Sequence, residues 1–151
     1  MLLKTGVTGF QAAGTLPIPR VEFSLFCSLA YYVAQQLNMS LVDIQKDNLC
    51  RNFYQAEFDW ESNLYLLCNS VYPIIAWSNL STDNTIGLHF VDVPQTDTLI
   101  SHYTSFDCAR SEELHAHIST KDLKHLSFGE QEQVRYWNPK TFGDLIFNYW
   151  D

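Results

Sequence analysis

Basic residues are scarce in this chain: nine Lys and Arg stand against seventeen Asp and Glu, a formal charge of −8 over 151 residues. The nine are scattered from Lys4 to Lys140 without a run. A field of that sign repels a phosphate backbone, so neither nucleic acid nor an anionic membrane surface is an expected partner, whereas a basic protein is a natural one. The catalytic signatures are missing as well. There is no GxSxG elbow, no HExxH, no EF-hand spacing, no P-loop and no GxGxxG, which removes the serine hydrolases, zinc proteases and nucleotide binders that those patterns mark. Cys27, Cys50, Cys68 and Cys108 lie far apart and form no CxxC pair. The opening residues lack the apolar core of a signal peptide, so a cytoplasmic location with reduced, mostly buried thiols is the expectation. Residues 21–39 are apolar but carry Glu22, Gln35, Gln36 and Asn38, too many polar groups for a membrane span.

Aromatic residues are plentiful, with ten Phe, eight Tyr and four Trp. That many rings require a large interior or an exposed contact surface. Charged residues are 17% of the chain, below the usual quarter, so this is a folding sequence and not a disordered acidic tail. No repeat, linker or low-complexity tract divides it, and one domain over 1–151 is expected.

Hydrophobic periodicity supplies the elements. Residues 1–19 are rich in Gly, Thr and Pro and read as an extended lead-in, closed by Pro17 and Pro19. Val21, Leu25, Phe26, Leu29, Tyr32, Val33 and Leu37 then recur at helical spacing and predict a central, largely buried helix. Ser40 and Asp43 have the spacing of a capping box for a short second helix over 41–48. Next the period changes to two. Tyr54, Ala56, Phe58 and Trp60 alternate with Gln55, Glu57, Asp59 and Glu61, a half-buried strand whose outer face carries three carboxylates. Residues 64–71 read as a strand buried on both faces. Pro73 makes 74–77 an edge segment or a continuation past a bulge. A turn over 81–84 and strands over 86–93 and 99–106 complete an antiparallel meander of about four strands. Ser119 with Asp122, Ser127 with Glu130, and Thr141 with Asp144 each carry a helix-start signal. Pro139 separates the last two helices, and Phe142, Leu145, Ile146, Tyr149 and Trp150 form the apolar stripe of the final one. The fold class is therefore α+β: an antiparallel sheet packed with an N-terminal helix and C-terminal helices.

Three groups of side chains can be weighed for chemistry. His115 and His117 share a face only if their segment is a strand; His102 or His125 would then be a third ligand and Glu112 or Glu113 an oxygen donor. An HxH pair beside two glutamates is also common on ordinary surfaces. Cys108 lies between Asp107 and Arg110, a single cation being too little to make a reactive thiolate. The carboxylates Glu57, Asp59 and Glu61, and separately Glu112 and Glu113, suit either acid–base work or a solvated face that meets a basic partner. No catalytic residue, metal or cofactor is assigned on this reading. The alternatives are a small hydrolase or metal-dependent enzyme built on 112–117, or a structural or assembly subunit.

One stretch carries a resemblance. The ending Tyr136-Trp137-Asn138-Pro139-Lys140-Thr141-Phe142-Gly143-Asp144-Leu145-Ile146-Phe147-Asn148-Tyr149-Trp150-Asp151, about the last tenth of the chain, resembles the C-terminus of small bacterial immunity proteins found beside polymorphic and contact-dependent growth-inhibition toxins. The resemblance implies a cytoplasmic protein that binds and occludes one cognate toxin domain, with no catalytic residue of its own. The contact surface is then expected at Glu57, Asp59, Glu61, Glu112 and Glu113. From the cysteine spacing we predict that all four thiols are reduced and dispensable for activity. Mass spectrometry of unreduced protein should find no stoichiometric Cys–Cys link, and finding one would overturn this.

Overall fold

The computed structural model describes residues 1–60, 62–79, 88–103 and 105–150. Chain order runs α1 (Phe23–Gln36), β1 (Ser40–Gln45), β2 (Phe53–Trp60), β3 (Ser62–Asn69), β4 (Ile74–Ser78), β5 (Phe90–Val91), α2 (Thr96–Ile100), β6 (Asp107–Cys108), α3 (Ser111–His115), a 3-10 turn (Asp122–His125), α4 (Phe128–Trp137) and α5 (Phe142–Ile146). The strands form one sheet in the order β1-β2-β3-β4-β5, each neighbouring pair antiparallel. The two-residue β6 joins β4 in parallel beside β5. The α+β class follows.

Each face of the sheet has its own core. On one face α1 lays Phe26, Leu29, Ala30 and Val33 against Tyr54, Ala56 and Phe58 of β2, Leu66 of β3 and Trp77 of β4. Burying each large side chain contributes roughly 1.5–3 kcal/mol. Leu25, at 38% exposure, falls on the outer flank of the helix. The helix stops at Asn38, whose φ of 54° is the left-handed turn that amide side chains tolerate. On the opposite face Phe53, Tyr65, Leu67 and Ala76 are covered by Leu3 and Val7 from the N-terminal segment and by Leu114, Leu126, Val134, Leu145, Ile146 and Phe147. Residues 1–19 thus do more than lead in.

Buried polar groups tie this second layer down. Asn69 Nδ2 donates to the carbonyls of Val7 (2.8 Å) and Ile146 (2.7 Å), and its Oδ1 accepts from the amides of Val71 and Tyr72, both at 2.9 Å. Asn52 Nδ2 donates to the same two carbonyls, and Asn148 Nδ2 to those of Thr8 and Leu145. Glu130, with no exposed surface, accepts from the amides of Gly6 and Thr8 and the Thr8 hydroxyl through one oxygen, and from the Ser127 amide through the other. Gly9 completes the loop at φ 78°, where a Cβ would come within 2.8 Å of Asn52 Cβ.

Several sequence expectations are corrected. Residues 41–48 do not form a helix; Ser40 pairs with Asp59 and Ile44 with Ala56, because an extended β1 completes the sheet beside β2. The Ser40/Asp43 spacing is therefore no cap. Residues 74–77 are interior, with β3 on one side and β5 and β6 on the other. Pro73 precedes the ladder and costs it no donor. Of the expected strand over 99–106, Leu99 and Ile100 belong to α2 and the other described residues are no strand but the turns after it, Thr104 lying outside the described residues. Thr96 sets that helix: its hydroxyl accepts from Trp77 Nε1 (3.1 Å) and donates to the Val93 carbonyl (2.7 Å), a tertiary constraint on the start of the segment. Within 86–93 only Phe90–Val91 is strand among the described residues, and the turn over 81–84 lies outside them. Ser127 with Glu130 and Thr141 with Asp144 are reciprocal capping boxes, and Ser119 with Asp122 opens the 3-10 turn. The last helix closes at Ile146, so Tyr149 and Trp150 follow it outside any regular element.

Asn69→Ala should destabilise the fold by about 2–4 kcal/mol, since it takes the acceptor from the Val71 and Tyr72 amides, at roughly 1–3 kcal/mol each, and leaves the Val7 and Ile146 carbonyls with Asn52 as their remaining side-chain donor. Urea denaturation measures it, and a loss below about 0.5 kcal/mol would show that water replaces the side chain.

Candidate functional site: an acidic strand face

The period-two alternation of β2 places Phe53, Gln55, Glu57 and Asp59 on one face of the sheet. The second core covers only its first part: Phe53 and Gln55 are buried, Glu57 half-buried and Asp59 exposed. The sheet's second face therefore emerges into solvent at Glu57 and Asp59. Glu61 lies outside the described residues.

The neighbouring strand adds a residue that the sequence reading misplaced. Asp43 of β1 stands directly opposite Glu57, and Ser40 opposite Asp59. Reading 41–48 as helix had hidden it; the Leu41, Ile44 and β-branched Val42 content was the available strand signal. Like charges directly across a strand pair are destabilising. The ion pairs among the described residues are Arg20–Asp47 and Arg110–Asp97, so Asp43, Glu57 and Asp59 carry no counter-charge there. Glu57 accepts from the Tyr65 hydroxyl at 3.4 Å, and Asp43 from Gln45 Nε2 at 3.0 Å. Trp60, 40% exposed, stands at the end of the same strand.

Glu112 and Glu113 are elsewhere. Both are exposed in the first turn of α3, which packs on β5 and α5. Between β2 and β5 lie β3 and β4, a separation of about 14 Å at the usual strand spacing. The two acidic groups are thus not one cluster. Glu113 is occupied locally, its Oε2 accepting from the Arg110 amide at 3.3 Å. The α3 start is also held from outside, by Asp92, which accepts from the Ser111 amide (2.9 Å) and hydroxyl (2.7 Å). Those bonds hold the Asp92 carboxyl below its usual range, with help from Arg110 and His115.

The histidines take separate places. His115 ends α3 and packs on His89 and Phe90, with ring centroids at 5.5 and 5.8 Å. His117 is in a β-bridge with Thr141. The segment is therefore not the strand that would put both imidazoles on one face. His102 follows α2, and His125 ends the 3-10 turn. Among the described residues no three of His, Cys, Asp and Glu gather to hold a metal ion. The cysteines are free: Cys68 is buried, Cys50 exposed, and Cys27 and Cys108 half-buried. Burial pushes the Cys108 thiol up to about 12, and Asp97 and Asp92 add to it, the reverse of the activation that a nucleophile needs. No helix among the described residues is long and apolar enough to cross a membrane.

Comparison with known proteins finds no matching family model, no matching curated protein and no matching solved structure.

Because the Asp92 carboxyl titrates lower in the folded than in the unfolded chain, its contribution is present above the ordinary carboxylate range and is lost as pH falls through the folded value. Asp92→Asn should therefore be less stable than the parent near neutrality, and the difference should shrink below about pH 4. Urea titrations across that interval test it; a difference that does not change with pH would show the carboxylate charge to be irrelevant.

Proposed function

We propose that this chain is an immunity-type protein, acting in the cytoplasm, that binds a basic toxin domain and neutralises it by occlusion. The observation that supports this best is the opposition of Asp43 and Glu57 across β1 and β2, continued by Asp59. Such a face opposes folding slightly. A basic partner would turn the same repulsion into attraction and speed encounter over the range of the field, in keeping with the −8 formal charge.

The immunity-like ending bears on the scaffold. Phe142, Leu145, Ile146, Phe147 and Asn148 are all buried, and Thr141 and Asp144 are spent on the α5 cap. In these residues the resemblance is one of framework, while Tyr136, Trp137 and Tyr149 of the same stretch are exposed. It is compatible with a partner-facing surface peculiar to this chain.

Glu57→Lys combined with Asp59→Lys should weaken the complex by several kcal/mol, partly through slower association, and the loss should shrink as salt rises. The measurement is a pull-down and kinetic titration against the protein encoded immediately upstream. Absence of any complex with the parent protein would sink the immunity reading. Tight binding that ignores the reversal would move the interface to another surface.

A further inference from the structure

The two margins of the sheet differ. At one, α2 packs on β6 and α3 on β5, so the outer strands are covered. At the other, the elements that pack closely on β1 are β2 and α1. In a two-stranded pairing half the backbone N–H and C=O groups of the outer strand point away from its neighbour. A row of this kind is a template for another strand, and proteins commonly blunt it with bulges and charge. β1 carries both devices, a register shift between Leu41 and Asp43 and the Asp43 carboxylate, yet it remains extended over Ser40–Gln45 with Val42 58% exposed.

We propose that β1 is a docking edge onto which an extended basic segment of the partner adds as a further strand. Charge selects the occupant. A second copy of this chain would bring Asp43 against an equally acidic edge, under the mutual repulsion of two chains at −8. A Lys or Arg on an incoming strand lands beside Asp43, one strand spacing (about 4.8 Å) nearer to Glu57 than any residue beyond it. Lys46 follows the strand, and Arg51 donates to Gln45 Oε1 and the Lys46 carbonyl, so the acidic part of the edge is its Ser40–Asp43 half. Main-chain bonds supply affinity in this mode and side-chain charge supplies selection. The repulsion that disfavours self-pairing thereby also selects for a basic strand. Naming that strand as part of a toxin rests on the function proposed above; the edge chemistry does not.

The test uses synthetic peptides about six residues long, the length of a typical strand. A peptide alternating Lys and Val should bind the intact protein with Kd near the millimolar range, slow hydrogen exchange at alternate β1 amides and shift resonances of β1 and β2. A Glu/Val peptide, a Lys/Val peptide N-methylated along one edge, and the Asp43→Lys protein should each bind about tenfold more weakly or not at all. No binding of the Lys/Val peptide, or equal binding of the N-methylated or Glu/Val peptide, overturns the proposal. A toxin complex that leaves β1 amide exchange unchanged would also overturn it, while sparing the immunity reading. A peptide that adds to β1 in a protein with no toxin complex would do the reverse.

Discussion

The second layer of this fold hangs on a requirement that backbone polar groups removed from water find partners. Two segments, the turn at residues 6–8 and the end of α5 with the two residues after it (145–148), run along the buried side of the sheet where no ladder serves them. Asn52 and Asn69, on and beside β2 and β3, reach out of the sheet to the carbonyls of Val7 and Ile146, and Asn148 reaches back to Thr8. Glu130 closes the arrangement by collecting the amides of Gly6 and Thr8 on α4. A buried charge is costly unless hydrogen-bonded, and this one has four donors. Because the network joins both segments to one end of β2 and β3, the apolar covering that they carry sits over that end.

The open part of the sheet is a consequence of that placement. With Phe53 and Gln55 under the second layer, the same strand emerges uncovered at Glu57 and Asp59. β1 runs alongside and sets Asp43 against Glu57. The opposite margin packs against α2 and α3, whereas among the described residues the elements that pack closely on β1 are β2 and α1. The partner contact proposed above rests on this charged edge and the acidic face beside it. The repulsion within that edge is the feature that core packing does not explain.

Much of the scaffold is legible in the residues themselves. The first helix, the alternation of β2 and the doubly buried β3 are visible because each follows a local period imposed by burial. The capping boxes at Ser127 and Thr141 are equally local, each satisfying orphan amides within four residues. Misreadings occur where a distant partner decides. Residues 41–48 hold a cap-like Ser and Asp, yet the vacancy beside β2 makes them a strand. Residues 99–106 have strand-like content, yet the indole of Trp77 fixes Thr96 and with it a helical start.

By itself, then, the sequence determined the α+β class, the acidic character, the buried α1 face and the carboxylates along β2, because side-chain period and net charge need no tertiary information. Only the tertiary structure decided that Asp43 joins Glu57, that Glu112 and Glu113 lie at the far margin, and that His115 meets His89 and not His117. Those relations depend on strand order and register. Both are settled by which surfaces bury one another, a comparison among elements remote in the chain that no local pattern encodes.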